Sequence, residues 1–275
     1  MKQVSFFALA FSVLIVSCGK FSENNSTTTS EDVAMVEGGF NEVQKVMEDV
    51  LKENQPETAI ELIYGSGATL TVTPPWPDMT FPKTFLIEFG DGVTDLTGNV
   101  RTGSIEVVAT GLYRDSAAVF TTTPIYYTLN NYAIEGVKTV TNMGANDLGN
   151  TNFDISIVDG VVTDPEGISA SWESERNREW IDGEETNWLD GLDGILDDTY
   201  SLTGTASGLN RNGIPFEMVI AEPLIVSVGC KWVKQGVLEI TPEGLNTRTL
   251  DYGDGECDNE ASISIGNFTL NFFMW

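Results

Sequence analysis

The sequence predicts a mainly β protein: an antiparallel meander sheet with one N-terminal helix. From Ile60 onward, short runs rich in β-branched and aromatic residues are separated by Gly, Asn, Asp and Pro. No helical stretch of comparable length lies between these runs, which favours hairpin connections. The apolar fraction of 41% over 275 residues suffices for a substantial core. Periodicity leaves two alternatives, a sandwich and an open, barrel-like sheet curled around the helix.

The helix is predicted over residues 33–54. Ser30, Glu31 and Asp32 resemble an N-terminal cap, and apolar residues then recur at intervals of three and four. These apolar residues are Val33, Val36, Phe40, Val43, Met47, Val50 and Leu51. Gly38 and Gly39 each cost about 1 kcal/mol relative to alanine. The helix is therefore expected to be broken there or to begin late.

The candidate strands follow one another to the end of the chain. The first six cover residues 68–72, 84–88, 104–110, 125–129, 134–142 and 153–158. The later ones cover 167–180, 199–207, 216–221, 224–233, 237–241, 248–252 and 261–273. A hairpin is expected to join 224–233 to 237–241 through Lys234, Gln235 and Gly236.

Charge and composition exclude several function classes. The chain has 14 Lys and Arg against 41 Asp and Glu, a net charge of −27, and no histidine. Nucleic-acid binding needs clustered basic residues, so no nucleic-acid partner is predicted. The lack of histidine removes Ser-His-Asp and Cys-His nucleophiles and histidine-based metal sites. We predict a non-catalytic binding or structural module, with a carboxylate-dependent glycoside hydrolase as the enzymatic alternative.

Residues 1–17 are predicted to be a signal peptide that ends at Cys18. Met1 and Lys2 supply the positive start, residues 6–16 the apolar run, and Ser17 the small residue before the cut. This arrangement resembles the lipobox of bacterial lipoproteins. The resemblance implies cleavage before Cys18, a diacylglycerol thioether on its sulfur, and acylation of the new amino terminus.

Three segments make up the predicted chain. Residues 1–17 are the signal peptide, and residues 18–30, rich in Ser, Thr and Asn, form a flexible tether. Residues 31–275 form a single β-rich domain. Gly19 follows the lipobox cysteine, and by resemblance to enterobacterial sorting this favours the outer membrane. The periplasmic and cell-surface faces remain alternatives.

Two similar segments, residues 83–95 and 246–258, place carboxylates at the same three positions around an aromatic-Gly-Asp-Gly turn. The carboxylates are Glu88, Asp91 and Asp95 in the first segment, and Asp251, Asp254 and Asp258 in the second. Calcium takes such oxygen ligands, but the spacing does not match an EF-hand loop. Asp and Gly are also ordinary turn residues. The favoured interpretation is a strand-ending turn with no cofactor, and calcium binding is the alternative.

Cys230 and Cys257 are the thiols that remain after lipidation of Cys18. Exported proteins retain disulfides, and this one would close 26 intervening residues. Such a bond stabilises by about 3 kcal/mol. We predict the disulfide, with two separate buried thiols as the alternative.

Four tryptophans, Trp172, Trp180, Trp188 and Trp232, are either core residues or a platform for stacking sugars. Strand alternation places Arg176 and Arg178 on the same face as Trp172 and Trp180. That face is predicted to hold a buried Arg-aromatic stack or an anionic ligand.

Taken with the lipobox and the tether, residues 249–259 (TLDYGDGECDN), 208–213 (GLNRNG) and 223–232 resemble uncharacterised Bacteroidetes-type lipoproteins of mostly β structure. The likeness covers most of residues 80–275. It implies attachment to a membrane through the lipid anchor, and it implies no activity. A glycan or an envelope protein is the further partner we expect.

Overall fold

The computed structural model describes Asn24 and residues 26–51, 57–185, 197–230 and 232–273. The predicted signal peptide, Cys18 and Trp188 lie outside these residues. Thirteen antiparallel strands form one sheet, and their order in the sheet is their order in the sequence. The predicted meander is therefore confirmed. Neither described helix is long and apolar enough to cross a membrane.

The first seven strands are β1 (Thr69–Thr73), β2 (Lys83–Thr94), β3 (Val100–Ala109), β4 (Val119–Leu129), β5 (Tyr132–Ala145), β6 (Thr151–Thr163) and β7 (Ser169–Asp182). The remaining strands are β8 (Thr199–Leu209), β9 (Pro215–Ser227), β10 (Gln235–Pro242), β11 (Arg248–Asp254), β12 (Glu260–Ile265) and β13 (Phe268–Phe273).

The predicted helix is present as α1 (Thr28–Val50), and it runs unbroken through both glycines. It begins three residues inside the predicted tether because Thr29 is buried and its hydroxyl accepts a hydrogen bond of 2.9 Å from Asn210. Gly39 permits close packing: a Cβ there would lie 3.2 Å from methyl groups of both Ile134 and Val162.

A second helix, α2 (Glu57–Tyr64), was not predicted from the sequence. Ile60 and Tyr64, one helical turn apart, are both fully buried, and α2 contacts β1. The sequence pattern assigns Ile60 to the start of the β region because so short an apolar run cannot distinguish a helix from a strand.

The sheet curls around α1. This helix contacts β3 to β7 and also β10. Along α1, Glu37 and Glu48 form ion pairs with arginines of β7, whereas Glu42, which lies between them, pairs with an arginine of β3. In a flat sheet β3 and β7 would lie four strand spacings, about 19 Å, apart on the same side of the helix, and a straight helix could not alternate between them in this way. The structure therefore has a single curled sheet, the barrel-like alternative, with the core between α1 and the concave face. Core residues from the helix include Val36, Phe40, Val43 and Met47, and those from the sheet include Phe85, Ile105, Phe120, Phe153, Trp172 and Met218.

Several strands are longer or shorter than predicted, such as β4, which begins at Val119 instead of residue 125, and two divisions between strands differ. β9 continues through Pro223, where the sequence predicts a break, because the pairing of β9 with both neighbours shifts register around this residue. Such an irregularity accommodates a residue that lacks an N–H group. Residues 261–273 instead divide into β12 and β13, since Ile265 pairs with Phe268 across a two-residue turn. Gly266 takes a positive φ of 59° there, as tight hairpins require.

Candidate functional site

A row of ion pairs joins α1 to the concave face of the sheet. We call it the interior ion-pair seam. Its members are Asp32 with Arg211, Glu37 with Arg176, Glu42 with Arg101, and Glu48 with Arg178. Each acid comes from α1, and three of the four arginines come from strands β3 and β7. A buried charge is costly unless it is paired, so the seam fixes which helix residues face which strand.

Arg101 of β3 is a member of the seam with no exposed side-chain surface. It pairs with Glu42 and also donates a 2.6 Å hydrogen bond to Asp95. Its guanidinium lies 4.9 Å from the centre of the Tyr64 ring. Burial alone would raise the pKa of Asp95, but hydrogen bonds from Thr97, Arg101 and the residue at 99 lower this pKa well below its usual range. Asp95 is therefore held as a carboxylate.

Arg178 occupies the middle of the concave face. It pairs with Glu48 at 2.9 Å and donates a hydrogen bond to the hydroxyl of Tyr113. The rings of Phe153 and Tyr200 lie 5.2 Å and 4.9 Å from its guanidinium carbon. This is the Arg-aromatic stack that the alternation of β7 predicts.

Lys138 on β5 is also buried beneath α1. Its ammonium donates a 3.1 Å hydrogen bond to the carbonyl oxygen of Phe40. Burial, with a smaller contribution from the positive charge of Arg178, lowers the pKa of Lys138 to about 7. This cation is consequently the least favourably placed charge near the seam.

The arginines of the concave face are thus paired with carboxylates of the same chain. The anion expected opposite Arg176 and Arg178 is the helix's own carboxylates, Glu37 and Glu48. Trp172 and Trp180 are 1% and 5% exposed, so they are core residues and are not available for stacking a sugar. Trp232 is half-buried.

The carboxylates of the first acidic turn, Glu88, Asp91 and Asp95, have different surroundings. Glu88 and Asp91 are exposed on β2, whereas Asp95 binds Arg101 and accepts hydrogen bonds within its own turn. With its oxygens so occupied, Asp95 serves local structure. Glu88 and Asp91 take no part in these hydrogen bonds of Asp95.

The second acidic turn lies at β11 and β12, far along the sheet from the first. Asp251 accepts a hydrogen bond from the backbone of Gly253, and Asp258 accepts one from Glu260. Asp254 is exposed at the end of β11. Within the described residues, no group of three acids or cysteines is arranged to hold a metal ion. Calcium binding at either turn stays the alternative, and an ordinary strand-ending turn stays the favoured prediction.

Cys230 and Cys257 form a disulfide in the structure, with 5.8 Å between their Cα atoms. The bond links the turn after β9 to the turn after β11. Gly255 reinforces this junction, because its N–H donates a 2.9 Å hydrogen bond to the carbonyl of Lys234. The three C-terminal strands are therefore tied to the rest of the sheet beyond their ladder hydrogen bonds.

The convex face carries a shallow trough across three adjacent strands. Its volume is about 330 Å³. We call it the outer trough; outward residues that line it are Glu173 and Glu175 of β7, Thr205 and Ser207 of β8, and Glu217 and Val219 of β9. Ser207 pairs in register with both Glu173 and Glu217. The Cα atoms of Glu173 and Glu217 therefore lie about two strand spacings, roughly 9.6 Å, apart.

Sequence reasoning missed the outer trough and the acidic half of the seam. Glu42 and Glu48 are half-buried beside the apolar stripe of α1, and a helical pattern alone assigns such residues to solvent. A signal was nevertheless available. Arg176 and Arg178 were expected on a buried face, and buried arginines require acidic partners.

Comparisons of the chain with protein-family models, with curated proteins and with solved structures found no match.

Proposed function

We propose that the protein is a lipid-anchored envelope protein, attached to the outer membrane through Cys18, whose β-domain is a non-catalytic binding or structural module. One observation carries the proposal for the domain: α1 fills the concave face, and its carboxylates neutralise the arginines there. A ligand would have to displace the helix to reach that face. Partners are therefore expected on the convex face and at the sheet edges.

The lipid anchor rests on the sequence around Cys18. Several acyl chains hold a protein on a membrane essentially permanently. A Cys18→Ser variant should leave the membrane fraction and lose globomycin-sensitive processing. The matched control is the Cys230→Ser/Cys257→Ser double variant, which removes thiols without altering the lipobox. Unchanged membrane attachment of Cys18→Ser would contradict the anchor.

A second candidate, a glycan- or calcium-binding surface lipoprotein, is favoured by the outer trough. Carboxylates and hydroxyls line it, and these groups bind both sugar hydroxyls and Ca²⁺. A ligand that binds the folded state raises the melting temperature in a dose-dependent way. We therefore propose a thermal-shift screen of the full chain with calcium, magnesium and a panel of polysaccharides.

Variants then locate any binding found in that screen. Glu173→Gln/Glu217→Gln removes two trough carboxylates, and Asp251→Asn/Asp258→Asn removes two from the second acidic turn. Glu135→Gln is the control, since Glu135 is an exposed strand glutamate outside both sites. Hydrolysis of a polysaccharide that disappears in the trough variant would overturn the non-catalytic proposal and favour a glycoside hydrolase.

A further inference from the structure

The last strand, β13, is an edge of the sheet whose outer side has no partner strand among the described residues. It pairs with β12 alone, and the opposite edge is β1. An edge strand presents free backbone N–H and C=O groups that can pair with another chain. Natural edges are usually protected by charges, prolines or bulges.

β13 has none of these protections. Its sequence, FTLNFF, contains no charge and no proline, in a chain of net charge −27. Phe268 and Leu270 are 59% and 49% exposed. By contrast, β1 leads directly into a proline-rich segment that contains Pro74, Pro75 and Pro77.

The exposed residues continue the concave face. Phe268 is paired with Ile265, and Leu270 with Ile263; both isoleucines are buried. The apolar row of the concave face therefore runs on to β13 and ends there in solvent. One more strand beyond β13 would cover this row.

We propose that the added strand is β13 of a second copy, paired antiparallel so that two sheets become continuous. The pattern of residues 268–272 is palindromic about Leu270, with apolar residues at 268, 270 and 272 and polar residues at 269 and 271. A twofold axis at Leu270 places this residue opposite Leu270 of the second copy. It also places Phe268 opposite Phe272. Such self-complementarity is what a symmetric dimer interface requires.

Charge and size set the strength of this dimer. The strand itself is neutral, but each copy carries a charge of −27, so long-range repulsion opposes association. Salt screens that repulsion, because the Debye length falls from about 30 Å at 0.01 M to about 10 Å at 0.1 M. Two six-residue strands bury less than the roughly 1,600 Å² of a standard interface. The dimer is therefore a weak one that strengthens with salt.

Sedimentation velocity of the full chain with Cys18→Ser, in which the proposed lipid cannot attach, tests the association. The expected result is a monomer–dimer equilibrium whose dimer fraction rises with protein concentration and with NaCl. Leu270→Lys should weaken dimerisation at least tenfold, about 1.4 kcal/mol, because it places two like charges opposite each other. Leu209→Lys, at an exposed apolar position on β8 (46% exposed), is the matched control. A monomer at every concentration and salt, or a dimer unaffected by Leu270→Lys, would overturn the proposal.

Cysteine cross-linking tests the register and does not depend on the stability of the lysine variant. In the proposed pairing, Leu270→Cys in the same Cys18→Ser chain faces its own copy, so mild oxidation should give a covalent dimer. Val219→Cys, exposed on the convex face of β9, is the control and should stay monomeric. If Leu270→Cys gives no more cross-linked dimer than Val219→Cys, the proposed pairing is contradicted. Monomeric protein in both experiments would mean that β13 does not bind a second copy. That result would leave the lipid-anchor proposal unaffected, because both experiments use Cys18→Ser protein.

Discussion

Arg101 of β3 is fully buried and pairs with Glu42 of α1, which lies 59 residues earlier in the chain. This contact joins the helix to the sheet between the contacts of Glu37 and Glu48. Similar contacts at Arg176 and Arg178 repeat the arrangement on β7. The seam thus specifies the position of the helix within a largely apolar interface, which by itself would tolerate sliding.

Arg101→Met should lower the free energy of unfolding by about 3–5 kcal/mol, because it leaves Glu42 and Asp95 buried without their cation. Chemical denaturation monitored by tryptophan fluorescence measures the loss. Lys45→Met, at an exposed position of the same region of α1, should change stability by less than about 0.5 kcal/mol. Equal effects of the two substitutions would show that the seam does not stabilise the fold.

The strand pattern, the meander and the amphipathic helix could be predicted from the sequence because each depends on local periodicity. The choice between a sandwich and a sheet curled around the helix could not be made from the sequence, since it depends on which strands contact the helix. Glu42 and Glu48 illustrate the limit. Their burial follows from arginines more than fifty residues away, and no local pattern contains that information. Conversely, the face shared by Arg176 and Trp172 followed from strand alternation alone, and the structure confirms it.

The stability of the protein should rise with pH above about 7 because of Lys138. The pKa of this residue is lowered to about 7 in the folded state and returns to about 10.4 on unfolding. Between these values the unfolded state binds more protons, so stability increases with pH by up to about 1.4 kcal/mol per unit. The gain is lost progressively as the pH falls from about 10.4 to about 7, and below this range Lys138 is charged in both states. The charged groups around Lys138 are Arg176, Arg178, Glu37 and Glu48.

Urea denaturation at pH 6.5, 7.5 and 8.5 measures this dependence, and Lys138→Met is the comparison. The methionine variant should lose the rise because it lacks the titrating group. Asp198, whose pKa burial raises to about 6, is present in both proteins, so its titration cancels in the comparison. Parallel pH profiles for the two proteins would contradict the assignment to Lys138.

Gly38 and Gly39 should respond oppositely to leucine. No atom lies within 4 Å of a Cβ built on Gly38, so Gly38→Leu gains helix propensity, about 0.5–1 kcal/mol. A side chain on Gly39 meets Ile134 and Val162, and overpacking of this kind costs about 1–3 kcal/mol. Thermal unfolding of the two variants measures the difference. A Gly39→Leu protein as stable as Gly38→Leu would mean that α1 does not approach β5 and β6 this closely.

Reduction should selectively weaken the C-terminal part of the sheet. The Cys230–Cys257 bond spans a sequence separation of 27 residues, and a loop of this size is worth about 3 kcal/mol. We expect dithiothreitol to lower the melting temperature and to increase amide hydrogen exchange in β11 to β13. The Cys230→Ser/Cys257→Ser variant should melt at the lower temperature with or without reductant. A wild-type melting temperature that reductant leaves unchanged, although free thiols are detected after treatment, would contradict this role. The same variant also shows whether the proposed dimer needs the disulfide. If the variant still dimerises through β13, the strand alone is sufficient for the association.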